Sequence, residues 1–465
     1  MVNSNSISSI KYLLLIEGII LSLFLLLDLI PFLIILAIII SLSIFYFSFE
    51  YPFFLLNVLL FSILLGSLGI FKIGGKLPPI LVLDFFFIFV FLIYVYESLV
   101  HFDETDRFTI YSLFWIPFLI WGLFSILISY DKFRALLIWR SYFAGFISFS
   151  FAFFVIQRKS QINILLISLI TWGTILALIE FYILIQLGGL SSGIIGIFFR
   201  KNLLATSWGK SNYLATFFVL IIPLTIGYLL TEKSFKAKLF SSISLLLMFS
   251  AMIFTLSRGG ILALFISLVL LLLRVLRKRT LIPIIITIVA VAIIILLNPL
   301  TYVVFDRLVT VEKSFSYMMR VNFYQDVWKM FIENPITGVG LGNLGYHAQF
   351  KINTHASAHN IILGLLGETG IIGAILFLLL IGKVVLKYLK DYLTEKNEQI
   401  KILRWTFLCS LIGTLIHSFM EPNFEGYQFS IMFWISVALY FKLHLIEQKE
   451  PAHRTYSKHY NDSYS

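Results

Sequence analysis

Apolar runs of about twenty residues recur along the whole chain, separated by short polar or charged stretches. A helix needs about 20 apolar residues to cross a bilayer. In lipid every backbone polar group has to be satisfied within the protein, so such runs predict helices. They fall near 12–28, 31–48, 52–70, 80–100, 109–129, 139–156 and 162–186, then near 212–230, 239–256, 260–276, 281–298, 360–387, 405–419 and 428–446. The first two are close enough to be one hairpin. The pattern predicts an all-α polytopic membrane protein with about 12–14 transmembrane helices.

The polar interruptions are unequal. Most are short, but 187–211 and 299–358 are long. Inside the second, Phe315, Met318, Met319, Phe323, Val327, Met330 and Phe331 recur at roughly helical spacing. Asn334-Pro335 should end that helix. The expected element is an amphipathic helix lying on the membrane surface or over a cavity. Gly338 to Gly345 follows. Its residues 340–345 fit G-x-G-x-x-G, but no strand precedes them and no βαβ unit surrounds them. A tight glycine-rich turn beneath the surface helix is the better reading than a dinucleotide site.

Composition sharpens the class. The chain is 60% hydrophobic with a mean hydropathy of +0.97, too apolar for a water-soluble core. The formal charge of +11 then reflects topology rather than nucleic-acid binding. With both termini in the cytoplasm, most Lys and Arg fall inside, among them Lys233, Lys236, Lys238, Arg274, Arg277, Lys387, Lys396 and Arg404. Met1 to Ser9 leads to Lys11 and a first span without a small-residue cleavage site, so no cleaved leader is expected. The one cysteine, Cys409, excludes an intrachain disulfide, and no Cys/His spacing suggests structural zinc. No Walker A motif occurs. Asp103-Glu104-Thr105-Asp106 falls in an inside loop.

Against this topology the outer face is itself basic. Arg200, Lys201 and Lys210 lie in 187–211; Arg307, Lys313, Arg320, Lys329 and Lys351 lie in 299–358; Arg258 sits where one span ends and the next begins. Cations held outside suit an anionic ligand such as a lipid pyrophosphate. Lys201, Lys210, Lys313 and Lys351 read better as headgroup anchors. Arg258 is followed by Gly259 and Gly260, which let a phosphate or a backbone come close, and by free helical N–H groups. Its alternative role is to hold two helix ends together.

The segment His355-Ala356-Ser357-Ala358-His359-Asn360 opens an apolar helix, with Gly370 and Gly373 further on. A helix start disfavours a charged imidazole, so His359 should stay neutral and able to accept a proton. The bland alternative is a histidine at a helix start at headgroup level. Glu180 and Glu368 lie in or near spans, where carboxylates are costly and usually paired. Glu368 is about half a turn of rotation from His359, so its partner is expected on another helix.

Taken in order, Asn212-Tyr213-Leu214-Ala215, Ser257-Arg258-Gly259-Gly260, Arg320 with Glu333-Asn334-Pro335 and Gly338-Val339-Gly340, and His359-Asn360 with Glu368, Gly370 and Gly373 resemble the O-antigen ligase and O-antigen polymerase superfamily. The resemblance runs over about 190–425. It implies a metal-independent inverting glycosyltransferase of GT-C type, needing no cofactor, in the bacterial cytoplasmic (inner) membrane with its active site facing the periplasm or cell exterior. Its donor would be a glycan on undecaprenyl pyrophosphate. A ligase passes that glycan to lipid A-core, and a polymerase passes it to another lipid-linked repeat unit. The resemblance gives His359 the catalytic role and Arg258, Arg320 and Arg200 the donor pyrophosphate. Asn212, Gly259, Gly260, Asn360, Glu368, Gly370 and Gly373 would support them. The organisation is then 1–186, N-terminal transmembrane helices; 187–446, the ligase-like catalytic membrane region with outer loop 299–358; and 447–465, a cytoplasmic tail. A transporter of the same lipid is the reading from another class, but neither paired halves nor midplane polar sites stand out.

Overall fold

The computed structural model of the chain describes residues 43, 46–47, 51–65, 69–71, 80–100, 115–186, 205–206, 209–275, 315–348 and 357–461. Residues 1–56 and 57–465 are separate units, and the second carries nearly all of the described helices. The spans expected at 12–28, most of 31–48, and 281–298 lie outside the described residues, as do Arg200 and His355.

The architecture is all-α, with two short antiparallel ladders, Gly69–Phe71 with Ile80–Leu81 and Ala205–Thr206 with Gly209–Lys210. The helices are α1 (Pro52–Leu65), α2 (Val82–Val100), α3 (Trp115–Ile128), α4 (Lys132–Val155), α5 (Lys159–Gln186), α6 (Ser211–Thr231), α7 (Phe235–Phe254) and α8 (Arg258–Val275). They continue with α9 (Phe315–Glu333), the single turn α10 (Leu344–His347), α11 (Ile361–Thr394), α12 (Glu398–Ser418) and α13 (Tyr427–Asn461). Seven of them, α4 to α8, α11 and α12, are long and apolar enough to cross a membrane. Shorter apolar stretches occur in α1, α2, α3 and α13.

Several helices start earlier than hydropathy suggests, because capping rather than apolarity sets their ends. Asp131 caps α4, its side chain accepting from the Arg134 N–H, so the charged turn Lys132–Arg134 is already helical. Asn397 caps α12 in the same way, accepting from Gln399 and Ile400. The helix expected in the long polar loop is α9, and Asn334-Pro335 ends it. The last helix continues through 447–461, the segment read as a tail.

Lipid tails are as apolar as leucine, so these helices hold together by close packing and buried hydrogen bonds rather than by hydrophobic exclusion. Gly413 of α12 lies against Ser267 of α8 and Val219 of α6, and the Ser267 hydroxyl donates to the Cys409 carbonyl (2.7 Å). Ser410 donates to the Leu220 carbonyl of α6 (2.5 Å), near Pro223, which lacks an N–H. A second group joins α3, α4, α11 and α13 through edge-on and tilted aromatic pairs, Trp115 with Trp434 (centroids 4.4 Å apart), Phe118 with Tyr142 (5.1 Å) and Phe118 with Phe377 (5.6 Å).

One helix is broken. Gly370 within α11 has φ +66° and ψ −169°. The loop after α9 fills the break: Ile371 N–H donates to the Pro335 carbonyl (2.8 Å), and Val339 and Gly340 N–H donate to the carbonyls of Gly367 and Glu368 (both 2.9 Å). The Trp121 indole takes the Thr369 carbonyl (2.9 Å). Non-helical backbone at this depth is tolerable because protein groups satisfy it. Gly370 is therefore a break point, not the packing glycine its Gly-x-x-Gly spacing suggests. Gly373 is the one that packs, its α-carbon facing Thr369 and Trp121.

Candidate active site

The ends of α3, α7 and α12 and the starts of α4, α6, α8, α11 and α13 lie at one end of the bundle. Glu421 stands at their meeting point, in the turn after α12. Its backbone N–H donates to the His417 carbonyl (3.0 Å), and Pro422 leads into a 3-10 turn, Asn423–Glu425. The side chain is 4% exposed and bridges three others. One oxygen accepts from Arg320 Nη2 of α9 (3.2 Å) and from the Asn212 amide at the start of α6. The other lies 2.9 Å from His359 Nδ1.

Burial alone would raise the Glu421 carboxyl. The His359 hydrogen bond and the charge of Arg320 outweigh it and leave the group below its ordinary value. Glu421 is thus a carboxylate at neutral pH. Four residues on, desolvation pushes Glu425 well above the carboxylate range, and the charge of Glu368 adds to the shift. Two neighbouring carboxyls are thus shifted in opposite directions.

His359 is held in a costly backbone conformation. Its φ is +48°, the left-handed region that a residue with a Cβ enters at roughly 1–2 kcal/mol. Such outliers persist where the surroundings fix them. Here Asn360 caps α11, its side chain accepting from the Leu363 N–H (3.0 Å), and Glu421 anchors the ring. Asn360 therefore shapes the backbone, and the partner that orients the imidazole is Glu421. Facing a carboxylate, Nδ1–H donates to Glu421 and the Nε2 lone pair is left outward. The side chain is 40% exposed, so that edge is accessible.

Arg258 is the first residue of α8, half-buried, with the Ser257 carbonyl accepting from Ile261 N–H (2.8 Å) at the helix start. Gly259 lies against Met420, and Gly260 against Ala215 of α6. A side chain at either glycine would push α8 off this corner. The Met420 carbonyl also accepts a long bond from Arg320 Nη1 (3.5 Å). Met420 thus places the Arg258 turn beside the Arg320–Glu421–His359 group.

Beneath Glu421 lies a second polar layer. The Thr216 hydroxyl donates to Asn423 Oδ1 (2.8 Å) and lies 2.9 Å from His417 Nδ1. Asn423 Nδ2 donates to the Ser418 hydroxyl (3.2 Å). All four are fully buried. Thr216 is one turn below Asn212, so this layer fixes the helix ends that carry the site.

Glu368 stays apart from His359, as its rotation implied, but its partner is a loop and not a helix. It is buried behind α11 and takes the Gly342 N–H. Arg134 binds the Gly342 carbonyl from the other side (2.5 Å), and Tyr346 reaches Asp131 (2.8 Å). Glu180 departs from expectation, since both its buried oxygens lack a hydrogen-bond partner among the described residues.

Glu421, Asn423 and His417 were not singled out by the sequence. The available signal was an acidic residue in a short loop between two apolar spans, Met420-Glu421-Pro422-Asn423, on an otherwise basic face. Among the described residues, no three His, Cys, Asp or Glu side chains cluster to hold a metal ion.

Fold and site together define a polytopic helical membrane protein with an imidazole–carboxylate–guanidinium group at one end of its bundle. Residues 243–378 match the family model described as O-antigen ligase. The match includes Arg258, Arg320 and His359 and stops short of Asn212 and Glu421. No curated protein matches the chain.

Proposed function

We propose that this protein is an inverting, metal-independent glycosyltransferase of GT-C type. In this reading it transfers a glycan from undecaprenyl pyrophosphate to an acceptor hydroxyl, as a ligase acting on lipid A-core. The observation that carries the reading is that one buried carboxylate, Glu421, binds both the imidazole of His359 and the guanidinium of Arg320. That shared partner supports a proton acceptor and an anion-binding group side by side.

The reaction needs both. The acceptor oxygen attacks the anomeric carbon as the bond to the pyrophosphate oxygen breaks, and that electron pair leaves with the pyrophosphate. His359 Nε2 takes the acceptor proton, and Glu421 stabilises the imidazolium that forms. Arg320 and Arg258, with Arg200 as a third, would neutralise the charge growing on the leaving group. Single displacement inverts the anomeric centre. The site would face the periplasm or cell exterior of a bacterial inner membrane, where the basic loops resist the positive-inside rule.

Two experiments test this. Purified protein with a lipid-pyrophosphate donor should transfer glycan in excess chelator; activity lost with EDTA and restored by magnesium or manganese would overturn the arginine-based reading. Gene deletion followed by glycan gels separates the two acceptor classes. Loss of all long-chain glycan from lipid A-core with accumulating lipid-linked polymer means ligase, and a single repeat left on the core means polymerase. The broken helix at Gly370 is a feature shared with transporters. Here the 335–340 loop occupies its free backbone groups, so the break offers no substrate site.

A further inference from the structure

Away from His359, a cavity of ≈ 250 Å³ lies between α3, α4, α11 and α13. Its floor is aromatic. Phe149 stands edge-on to Trp434 and to Phe441, with centroids 6.2 and 5.8 Å away, and Trp115 closes one side. Its rim carries Lys383, Lys387 and Lys390, and none of the described residues lining it is acidic. The three lysines stand at i, i+4 and i+7, one face of α11.

The unbroken α12, Glu398–Ser418, is about 30 Å long at roughly 1.5 Å per residue; it ends beside the Glu421 turn, and near its start Arg404 reaches the Asp391 carbonyl next to these lysines. That length is close to the ~30 Å hydrocarbon thickness of a bilayer. The lysines therefore lie at the headgroup level of the leaflet opposite His359. Beside them α11 exposes Leu378, Leu379 and Leu386, a surface suited to acyl chains. Lys387 is fixed by Asp391 (2.5 and 2.6 Å), whose carbonyl Arg404 holds in turn (2.8 Å). Lys383 and Lys390 are exposed.

We propose that this cavity binds an anionic phospholipid of the opposite leaflet, one acyl chain over the aromatic floor and the phosphate among the lysines. Apolar floor and basic rim belong to different parts of one ligand, which a soluble anion or a neutral lipid would match only in part. The inference does not depend on the glycosyltransferase reading.

The test uses the full-length protein in phosphatidylcholine nanodiscs with increasing phosphatidylglycerol. Native mass spectrometry counts the lipid retained, and inorganic phosphate is added in a second arm. Wild-type protein should retain phosphatidylglycerol over phosphatidylcholine. The double variant Lys383→Gln/Lys390→Gln should weaken that retention about 30-fold, the effect of two charges near a headgroup surface. The control Lys236→Gln/Lys238→Gln, exposed at the same end of the bundle on α7, should not change it, and both variants should unfold at the wild-type temperature. Equal retention of the two lipids would overturn the proposal. So would an equal loss in both variants, which means general surface attraction, or displacement of the lipid by phosphate, which means an anion site without a lipid.

Discussion

Replacing Glu421 by glutamine tests the bridge between base and anion site without changing its size. Arg320 Nη2 (3.2 Å) and the Asn212 amide both donate to the same oxygen of Glu421. In the variant the amide oxygen has to occupy that place. The amide NH₂ then faces His359 and donates to Nδ1. The imidazole proton moves to Nε2, so the edge that should accept the acceptor proton already carries one. The variant also loses the charge that stabilises imidazolium. A hydrogen bond to a charged group contributes about 1.5–3 kcal/mol, or roughly 10–150-fold. With the wrong tautomer added, turnover should fall about 10²–10³-fold. The donor KM should change little, because Arg320 and Arg258 remain. Transfer from a lipid-pyrophosphate donor, with kcat and KM measured separately, gives the readout. Glu421→Gln combined with His359→Ala should be no slower than His359→Ala alone, since both remove one function. Wild-type turnover by Glu421→Gln, or losses that multiply in the double variant, would refute the reasoning. The same carboxyl predicts a pH effect. Its value in the folded protein lies below the ordinary 4.5, so its stabilisation is complete above that pH and fades as pH falls through the lowered value. Wild type and Glu421→Gln should therefore differ in unfolding temperature at neutral pH and converge only once the pH has fallen below that lowered value.

Arg258→Lys and Arg320→Lys keep the charge but lose the planar fork that binds a pyrophosphate in bidentate fashion, so each should lose most transfer activity while remaining folded; wild-type turnover by Arg258→Lys would return that residue to holding helix ends. Gly370→Ala should destabilise by more than about 2 kcal/mol, since φ is positive and the new methyl would meet the Ile336 carbonyl. Gly382→Ala, in the same helix with open space around it, should stabilise by up to about 1 kcal/mol, and thermal unfolding of the two variants checks the contrast.

The helices of the second half were legible in hydropathy because each buries a lipid-length apolar run, and α9 was legible in its spacing. Helix starts were read late at α4 and α12, where Asp131 and Asn397 cap turns too polar to register as membrane. Arg258 and His359 were recognisable as a cation and an imidazole at the edges of spans, and Arg320 as a cation in the amphipathic helix of the outer loop. Glu421 was not, because nothing near it in sequence reveals that α6, α9 and α11 converge on it. Gly370 misled for a related reason. Its spacing from Gly373 is helical, and only the 335–340 loop inserted beside it shows the break.

The central claim is that His359 accepts the acceptor proton, and the most direct measurement is transfer by His359→Ala, with donor binding followed in the same preparation. Turnover should fall about 10²–10⁴-fold while donor affinity stays near wild type, because the arginines are untouched. His355→Ala, measured alongside, should be far milder. Full transfer by His359→Ala would contradict the claim, and loss of transfer in His355→Ala instead would move the base to His355.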